Sequence, residues 1–258
     1  MSGAVLVTGG GTGIGEAIAR RFAADGWRVA VNGRRREPIA AVAAAIDGVP
    51  VQGDTADPAE AERVVAESVA ALGGLDAVIL NAGIAHSGTV LEQTPESFER
   101  VLRTNVIGSF LVARAALPHV LERKGSLIAI SSAAALTAGP QSAAYCTSKA
   151  ALSMLMKSIA VDYGEAGIRA NSVCPAWVRT DMGDAMMDEL GEQHGIDREE
   201  AYRWANRFTP ARRPATLDEV AGTVVFLASP DAGYVNGTAI PIDGGATSVN
   251  VGLLWDIQ

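Results

Sequence analysis

With 258 residues, 48% of them hydrophobic, the chain can bury a large core as one domain or at most two, and its formal charge of −8 argues against a nucleic-acid partner, since no basic tract exists beyond Arg34, Arg35 and Arg36. Cys146 and Cys174 have neither CxxC nor metal-ligand spacing, so a reducing compartment, no disulfide framework and no metal are expected. The first residues carry no basic-then-apolar leader and no uninterrupted apolar run approaches about 18 residues, which predicts a cytoplasmic protein with no membrane partner.

Residues 4–8 form a short β-branched apolar run, followed at once by Gly9-Gly10-Gly11-Thr12-Gly13-Ile14-Gly15 and a helical pattern through Ile18, Phe22 and Ala23. Strand, glycine turn and helix in that order suit a dinucleotide pyrophosphate. The glycines permit positive φ and close backbone approach, and the helix start offers N–H groups and a positive dipole end. A second strand over 28–32 runs into Asn32-Gly33-Arg34-Arg35-Arg36. Folds that take the unphosphorylated cofactor carry an acid about 20 positions past the loop for the ribose 2′-hydroxyl. Here guanidinium groups stand instead, suited to a 2′-phosphate. Arg34 is the candidate contact, Arg35 its helper and Arg36 solvated, so NADP(H) is favoured with NAD(H) as the alternative.

A helix over 40–46 and a strand over 49–52 lead to Asp54-Thr55-Ala56-Asp57-Pro58-Ala59-Glu60. Asp57, Pro58 and Glu60 read as N-cap, first helical residue and first-turn acid of a helix over 58–72. That leaves Asp54, at the carboxyl end of its strand, free to face a ligand. The apolar run 75–80 predicts a strand buried on both faces, ending in Asn81-Ala82-Gly83. His86 follows in a polar loop and receives no role. Thr94-Pro95-Glu96 opens a long helix over 94–122 with Asn105 among apolar neighbours, where its amide must satisfy a buried group or interrupt the helix.

A strand over 126–130 runs into Ser131 and Ser132, and a helix over 143–161 carries Tyr145 and Lys149, four apart and so on one face. An ammonium beside a phenol favours the phenolate by about 1 to 3 pKa units, bringing tyrosine from about 10 towards use as a general acid or base. Ser132 at the strand end can hold the substrate oxygen. Either feature alone would pass for an ordinary helix face or turn former; their company decides.

The sixth strand, 168–173, ends in Cys174-Pro175-Ala176-Trp177-Val178-Arg179-Thr180. Residues 181–215 are irregular and are expected to form a lid over the substrate. Met182, Met186 and Met187 there form either an adaptable apolar pocket or ordinary helix core. Thr216 to Glu219 is a capping box, 239–242 a last strand, and the tail 246–258 is apolar enough through Leu253, Leu254 and Trp255 to dock. Seven strands alternating with helices predict a single α/β Rossmann domain over 1–258: a doubly wound parallel sheet of about seven strands with helices on both faces. The glycine loop, Asp54, Asn81, Ser132 and Pro175 all fall at strand carboxyl ends, where ligands of such sheets bind.

With these residues in view, the chain resembles the short-chain dehydrogenase/reductase family over nearly its whole length. The matching pieces are Thr8-Gly9-x-x-x-Gly13-Ile14-Gly15, Asn81-Ala82-Gly83, Asn105, Ser132 with Tyr145-x-x-x-Lys149, and residues 175–180. The family's usual Asn-Asn-Ala-Gly is Leu80-Asn81-Ala82-Gly83 here, and its Pro-Gly is Pro175-Ala176. The resemblance implies Tyr145 as general acid/base and Ser132 as the group that positions the reacting oxygen. It implies that Lys149 holds the nicotinamide ribose and lowers the tyrosine pKa, and that Asn105 orders a proton-relaying water. For the cofactor it implies Gly9, Thr12, Gly13, Ile14 and Gly15 at the pyrophosphate, Asp54 with Thr55 at the adenine, and Asn81, Ala82 and Gly83 beside the loop. Tyr145, Lys149, Pro175, Val178 and Thr180 then fall at the nicotinamide end. The expected reaction is reversible hydride transfer between nicotinamide C4 and the carbon of a small-molecule ketone or secondary alcohol, mainly apolar and medium-sized. Alternatives are a 3-oxoacyl thioester reductase, with Arg100 and Arg103 as its only basic patch, and a silent dinucleotide sensor or scaffold. The family likeness also implies a homotetramer, or a dimer, with the tail at an interface.

Overall fold

The apolar runs become the strands of one parallel sheet in the computed structural model, which describes residues 3–250. The strands are β1 (Ala4–Val7), β2 (Arg28–Gly33), β3 (Val49–Gln52), β4 (Ala77–Leu80), β5 (Ser126–Ile130), β6 (Arg169–Pro175) and β7 (Ala239–Ile242), in the order β3-β2-β1-β4-β5-β6-β7. β1 pairs with β2 on one side, Val5 opposite Val29, and with β4 on the other, Val5 opposite Ala77. The chain thus reverses its winding between β1 and β4, and the crevice beyond their carboxyl ends is where such sheets receive ligands.

Side chains alternate across each strand, so the sheet sends Ala4 and Leu6 into one layer and Val5 and Val7 into the other. The first layer is closed by α3 (Pro58–Leu72), α5 (Gly108–Arg123) and α6 (Ala143–Tyr163), through residues such as Val64, Val112 and Met156. The second is closed by α1 (Gly13–Ala24), α2 (Arg36–Ala45) and α9 (Leu217–Ala228), through Ile18, Val42 and Val224. Burial on both faces explains why the central strands read as continuous apolar runs.

Helix boundaries follow local chemistry. Asp57 accepts the N–H of Glu60 at 2.9 Å with Pro58 next to it, and Thr216 and Glu219 cap each other's backbone. α2 starts four residues earlier than expected, at Arg36, because Pro38 falls in the first turn, where a missing N–H goes unmissed. The expected helix over 94–122 is broken within: α4 (Pro95–Leu102) passes into a π turn, Arg103–Ile107, before α5. By length and hydropathy the whole Pro95–Arg123 stretch would pass for a membrane span. Its buried residues instead pack on α3 and α6.

Beyond β6, α7 (Asp181–His194) and α8 (Arg198–Ala205) make a small cluster of their own around Met187, Ala201 and Tyr202, with Trp177, Met186 and Leu190 against it. Met187 is thus helix core, while Met182 is exposed. The docking expected of Leu253, Leu254 and Trp255 falls outside the described residues.

Candidate active site

The glycine loop is shaped by contacts across the switch point. Gly9 and Gly13 adopt φ of +62° and +57°, a region that costs other residues dearly. Gly15 has no room for a side chain: a Cβ would lie 2.2 Å from the Gly9 carbonyl oxygen and 2.5 Å from Asn81 Nδ2. Asn81 Nδ2 donates to the carbonyls of Thr8 and Gly9, both at 3.0 Å, and Thr8 Oγ1 accepts from the backbone N–H groups of Asn81 (3.0 Å) and Ala82 (3.2 Å). Two strand ends are therefore stitched together before any ligand arrives. The first turn of α1 carries N–H groups that the helix cannot itself satisfy, and Thr12 at its N-cap makes no side-chain cap bond. A cradle that side chains cannot enter, lined by N–H groups at a helix start, fits a dinucleotide pyrophosphate.

The other half of the site lies at the ends of β4 and β5. In the π turn, the carbonyl of Asn105 accepts the Ser109 hydroxyl at 2.9 Å, and the side chain of Asn105 is fully buried. Its Oδ1 accepts the N–H of Ile84 at 2.8 Å, and its Nδ2 donates to the Ile84 carbonyl and to Ser148 Oγ, each at 2.9 Å. Asn105 thus satisfies the Ile84 backbone and lies within the turn that interrupts its helix. Both amide hydrogens are spent, so a water ordered here would donate to Asn105 rather than accept from it.

Ser132 follows β5 and shapes its own turn, accepting from the Ala134 N–H at 3.1 Å, with its hydroxyl 3.4 Å from the Pro175 carbonyl. Tyr145 approaches it from the first turn of α6, close enough for the Ser132 hydroxyl to pull the phenol pKa down. One turn further, Lys149 is buried and its Nζ donates to the Ile130 carbonyl at 2.8 Å. Behind it, Ser153 donates to Ser131 (2.8 Å), which donates to the Lys149 carbonyl (2.9 Å).

One expectation is corrected here. The Tyr145 pKa stands above its ordinary value in this structure, against the lowering expected from Lys149. Although Tyr145 as a residue is half-buried, its phenol end is enclosed, and burial raises its pKa; the Ser132 hydrogen bond opposes this without overcoming it. The ammonium lies 5.5 Å from the Tyr145 ring centroid, committed to Ile130, and burial pulls its own pKa down to about 8, against the opposing influence of Cys174. Burial likewise pushes the Cys174 thiol up, although Ser131, Ser153, Ser132 and Lys149 oppose it.

At the far end of the crevice Asp54 is less free than expected. Its Oδ1 accepts the Ala56 N–H at 3.0 Å, and its Oδ2 stands 3.9 Å from the Arg34 guanidinium. Thr55 is buried beneath it. Arg34, Arg100 and Arg103 line one cleft here together with Asp54, Asp57, Glu96 and Glu99. Arg35 is exposed at the N-cap of α2.

On the β6 side, Thr180 lies over the loop, its methyl 3.4 Å from where a Gly13 side chain would begin, and its hydroxyl caps α7 by accepting from Gly183 at 3.0 Å. Pro175 is buried at the end of β6. The Val178 side chain is packed in the core with α1 and α9 residues, which leaves its backbone to face a ligand. Arg179 binds Glu199 with both nitrogens at 2.6 Å and lies 4.6 Å from the Tyr202 ring centroid, while Tyr202 donates to Asp184 at 2.8 Å. Sequence reasoning missed Ser148, Ser153 and Gln93, whose roles depend on partners distant in the chain.

Comparison with known proteins agrees with this architecture. A family model described as enoyl-(acyl carrier protein) reductase matches residues 9–247. Meso-2,3-butanediol dehydrogenase of Serratia marcescens is 35% identical over 247 residues, covering 95% of this chain and 94% of that one. The crystal structure of levodione reductase superposes with a TM-score of 0.91 at 30% identity, covering 96% of this chain and 98% of that one. A 3-ketoacyl-(acyl-carrier-protein) reductase from Brucella melitensis, solved with NADH, superposes with a TM-score of 0.85 at 26% identity, covering 95% and 98%. The chain belongs to the short-chain dehydrogenase/reductase family, and it is an NAD(P)-dependent oxidoreductase acting on alcohol and ketone groups.

Proposed function

We propose that the protein interconverts a small ketone and its secondary alcohol, with Tyr145 as the general acid/base. The observation that carries this reading is the convergence of three groups in the crevice, the Tyr145 phenol, the Ser132 hydroxyl that acts on it, and the Lys149 ammonium 5.5 Å from the tyrosine ring. In the reductive direction Tyr145 gives its proton to the carbonyl oxygen, which Ser132 holds; in the oxidative direction the phenolate takes the hydroxyl proton. The bound nicotinamide supplies or takes up the hydride. A phenol held above its ordinary pKa enters the reductive reaction protonated at neutral pH, and Lys149, which titrates near 8, is suited to return the proton to it. Residues 9–15 hold the pyrophosphate, and Lys149, Thr180 and the Val178 backbone face the nicotinamide end.

Cofactor preference is part of the proposal. The exposed Arg34 guanidinium at the end of β2, with no acid at its own position, supports NADP(H) over NAD(H). Residues 181–215 act as the substrate lid, and free Cys146 and Cys174 accord with a cytoplasmic setting. A homotetramer is supported by Phe110, Met154 and Val161, exposed on α5 and α6. Light scattering on the purified chain tests the assembly.

The deciding experiment measures initial rates on 2,3-butanedione, cyclohexanone and a 1,3-diketone, and on the corresponding alcohols, with NADPH/NADP and NADH/NAD side by side. Tyr145→Phe should remove all but about a hundredth of the turnover, given the usual 10² to 10⁴ contribution of acid/base catalysis, while cofactor binding stays intact. Turnover retained by Tyr145→Phe would end this reading.

A further inference from the structure

The N-terminus of α6 is not capped by the residue placed to do so. Ser142 stands at the N-cap, yet its hydroxyl donates to the Pro140 carbonyl at 2.9 Å and makes no cap bond. The N–H of Ala144, immediately before Tyr145, is taken instead by Gln93 Oε1 at 3.2 Å, from 51 residues away. The same amide donates through Nε2 to the His86 carbonyl at 3.1 Å.

Around this amide the two loops that flank the tyrosine are knitted together. Gly88 pairs with Ser142 in an isolated parallel bridge, and its N–H donates to the Gln141 carbonyl at 2.8 Å. Gln141 is held at φ +52° and Gly88 at φ +142°. A side chain on Gly88 would begin 3.1 Å from Gln93 Cγ, so this passage is already close-packed. Glu92 steadies the approach by accepting from the Thr89 N–H and hydroxyl, both at 2.8 Å.

From this geometry we infer that Gln93 is a positioning residue for the reaction: its amide clips the loop after β4 to the first turn of α6 and so sets Tyr145 against Ser132. Asn105 provides the matching clip at the other end, tying Ile84 to Ser148. The loop from Ile84 to Gln93 is therefore fastened to α6 on both sides of Tyr145, at Ala144 and at Ser148. Gln93 is the side chain that takes the Ala144 N–H, so cutting this clip frees the first turn of α6 and with it the tyrosine. A misplacement of about 1 Å at a reacting group typically costs up to about 100-fold in rate.

This inference rests on Tyr145 being the acid/base, and the test separates the two. Gln93→Met keeps the length and removes both hydrogen bonds; Gln93→Glu keeps an acceptor for the Ala144 N–H but loses the donor to His86. Both are compared with wild type and Tyr145→Phe on whichever ketone of the panel above wild type reduces fastest. NADPH binding is followed by fluorescence, and backbone hydrogen exchange is followed by mass spectrometry. Gln93→Met should lower kcat by about 10- to 100-fold with unchanged NADPH affinity. Its amide exchange should quicken together in residues 84–93 and in the first turn of α6. Gln93→Glu should recover kcat and α6 protection. Unchanged kcat in Gln93→Met, or faster exchange confined to the loop with α6 still protected, would overturn the inference. The exchange result decides even if the panel gives no turnover. Activity in Tyr145→Phe would sink the acid/base reading itself, whereas an inactive Tyr145→Phe beside a fully active Gln93→Met would sink only the role of Gln93.

Discussion

Asn105→Ala tests how the crevice is held open for chemistry. The residue is fully buried and makes three side-chain hydrogen bonds, at 2.8, 2.9 and 2.9 Å, two of them to the single residue Ile84. Truncation leaves the N–H and C=O of Ile84 without partners, and each stranded group costs about 1–3 kcal/mol. Ile84 is half-buried, so water can reach part of it, and the lower half of the summed range applies: about 2–4 kcal/mol. That is a large share of the 5–15 kcal/mol typical of a whole fold. Urea denaturation of wild type, Asn105→Ala and Asn105→Asp measures it directly, provided the slope stays constant. Asn105→Asp keeps the acceptor for the Ile84 N–H but turns a carboxylate towards the Ile84 carbonyl, so it should be destabilised as well. A loss below about 1 kcal/mol in Asn105→Ala, at unchanged slope, would refute the reasoning that this amide carries the loop.

Other predictions follow from the same geometry. Gly15→Ala sets a methyl against the Gly9 carbonyl and Asn81, and should cost about 1–3 kcal/mol and abolish NADPH binding, read by thermal melting and fluorescence. Arg34→Ser should lower kcat/KM with NADPH by about 10- to 100-fold while sparing NADH, as the loss of a charged hydrogen bond worth about 1.5–3 kcal/mol requires; equal losses with both cofactors would count against a 2′-phosphate role. Lys149 has a folded pKa depressed to about 8 from its ordinary 10.5, so between those values the unfolded chain binds the extra proton and stability rises with pH. The raised pKa values of Tyr145 and Cys174 act in the opposite sense at higher pH, so the comparison is with Lys149→Met, whose urea stability should lack the rise. Glu199→Gln frees Arg179, which sits between Val178 and Thr180, and should raise substrate KM in salt-dependent fashion while the melting temperature hardly moves.

What was legible in the sequence was whatever local chemistry decides. The apolar runs, the glycine turn, the Asp57 cap and the Thr216 to Glu219 box need only neighbours within four residues, and the structure places them as read. Tyr145 and Lys149 were legible as a pair on one face, but the sign of the tyrosine shift was not. Spacing tells which groups are near, whereas the pKa depends on enclosure and on the Ile130 carbonyl that occupies the ammonium. Asp54 looked free because its Arg34 contact is formed only when β2 and the turn after β3 meet, whereas its bond to the Ala56 N–H is a local turn that the reading passed over. Gln93 carried no local signal at all, since the helix it caps begins 50 residues later.

The π turn at Arg103–Ile107 has a consequence for insertions and deletions. A helix advances about 100° per residue, so an extra residue wound into a regular helix would rotate everything after it by that angle, whereas the wider π turn absorbs it and keeps α5 in phase with α4. α4 packs on α6 and buries Ser97 and Val101, and α5 packs on α3 and the sheet and buries Val112, Ala116 and Val120. Removing one residue from 103–107 would let an uninterrupted helix form with better backbone bonding and both flanking faces in place, yet it would take away the wide turn that sets Asn105 against Ile84. Chain length at this point is therefore as constrained as residue identity, and a substitution scan alone would miss it.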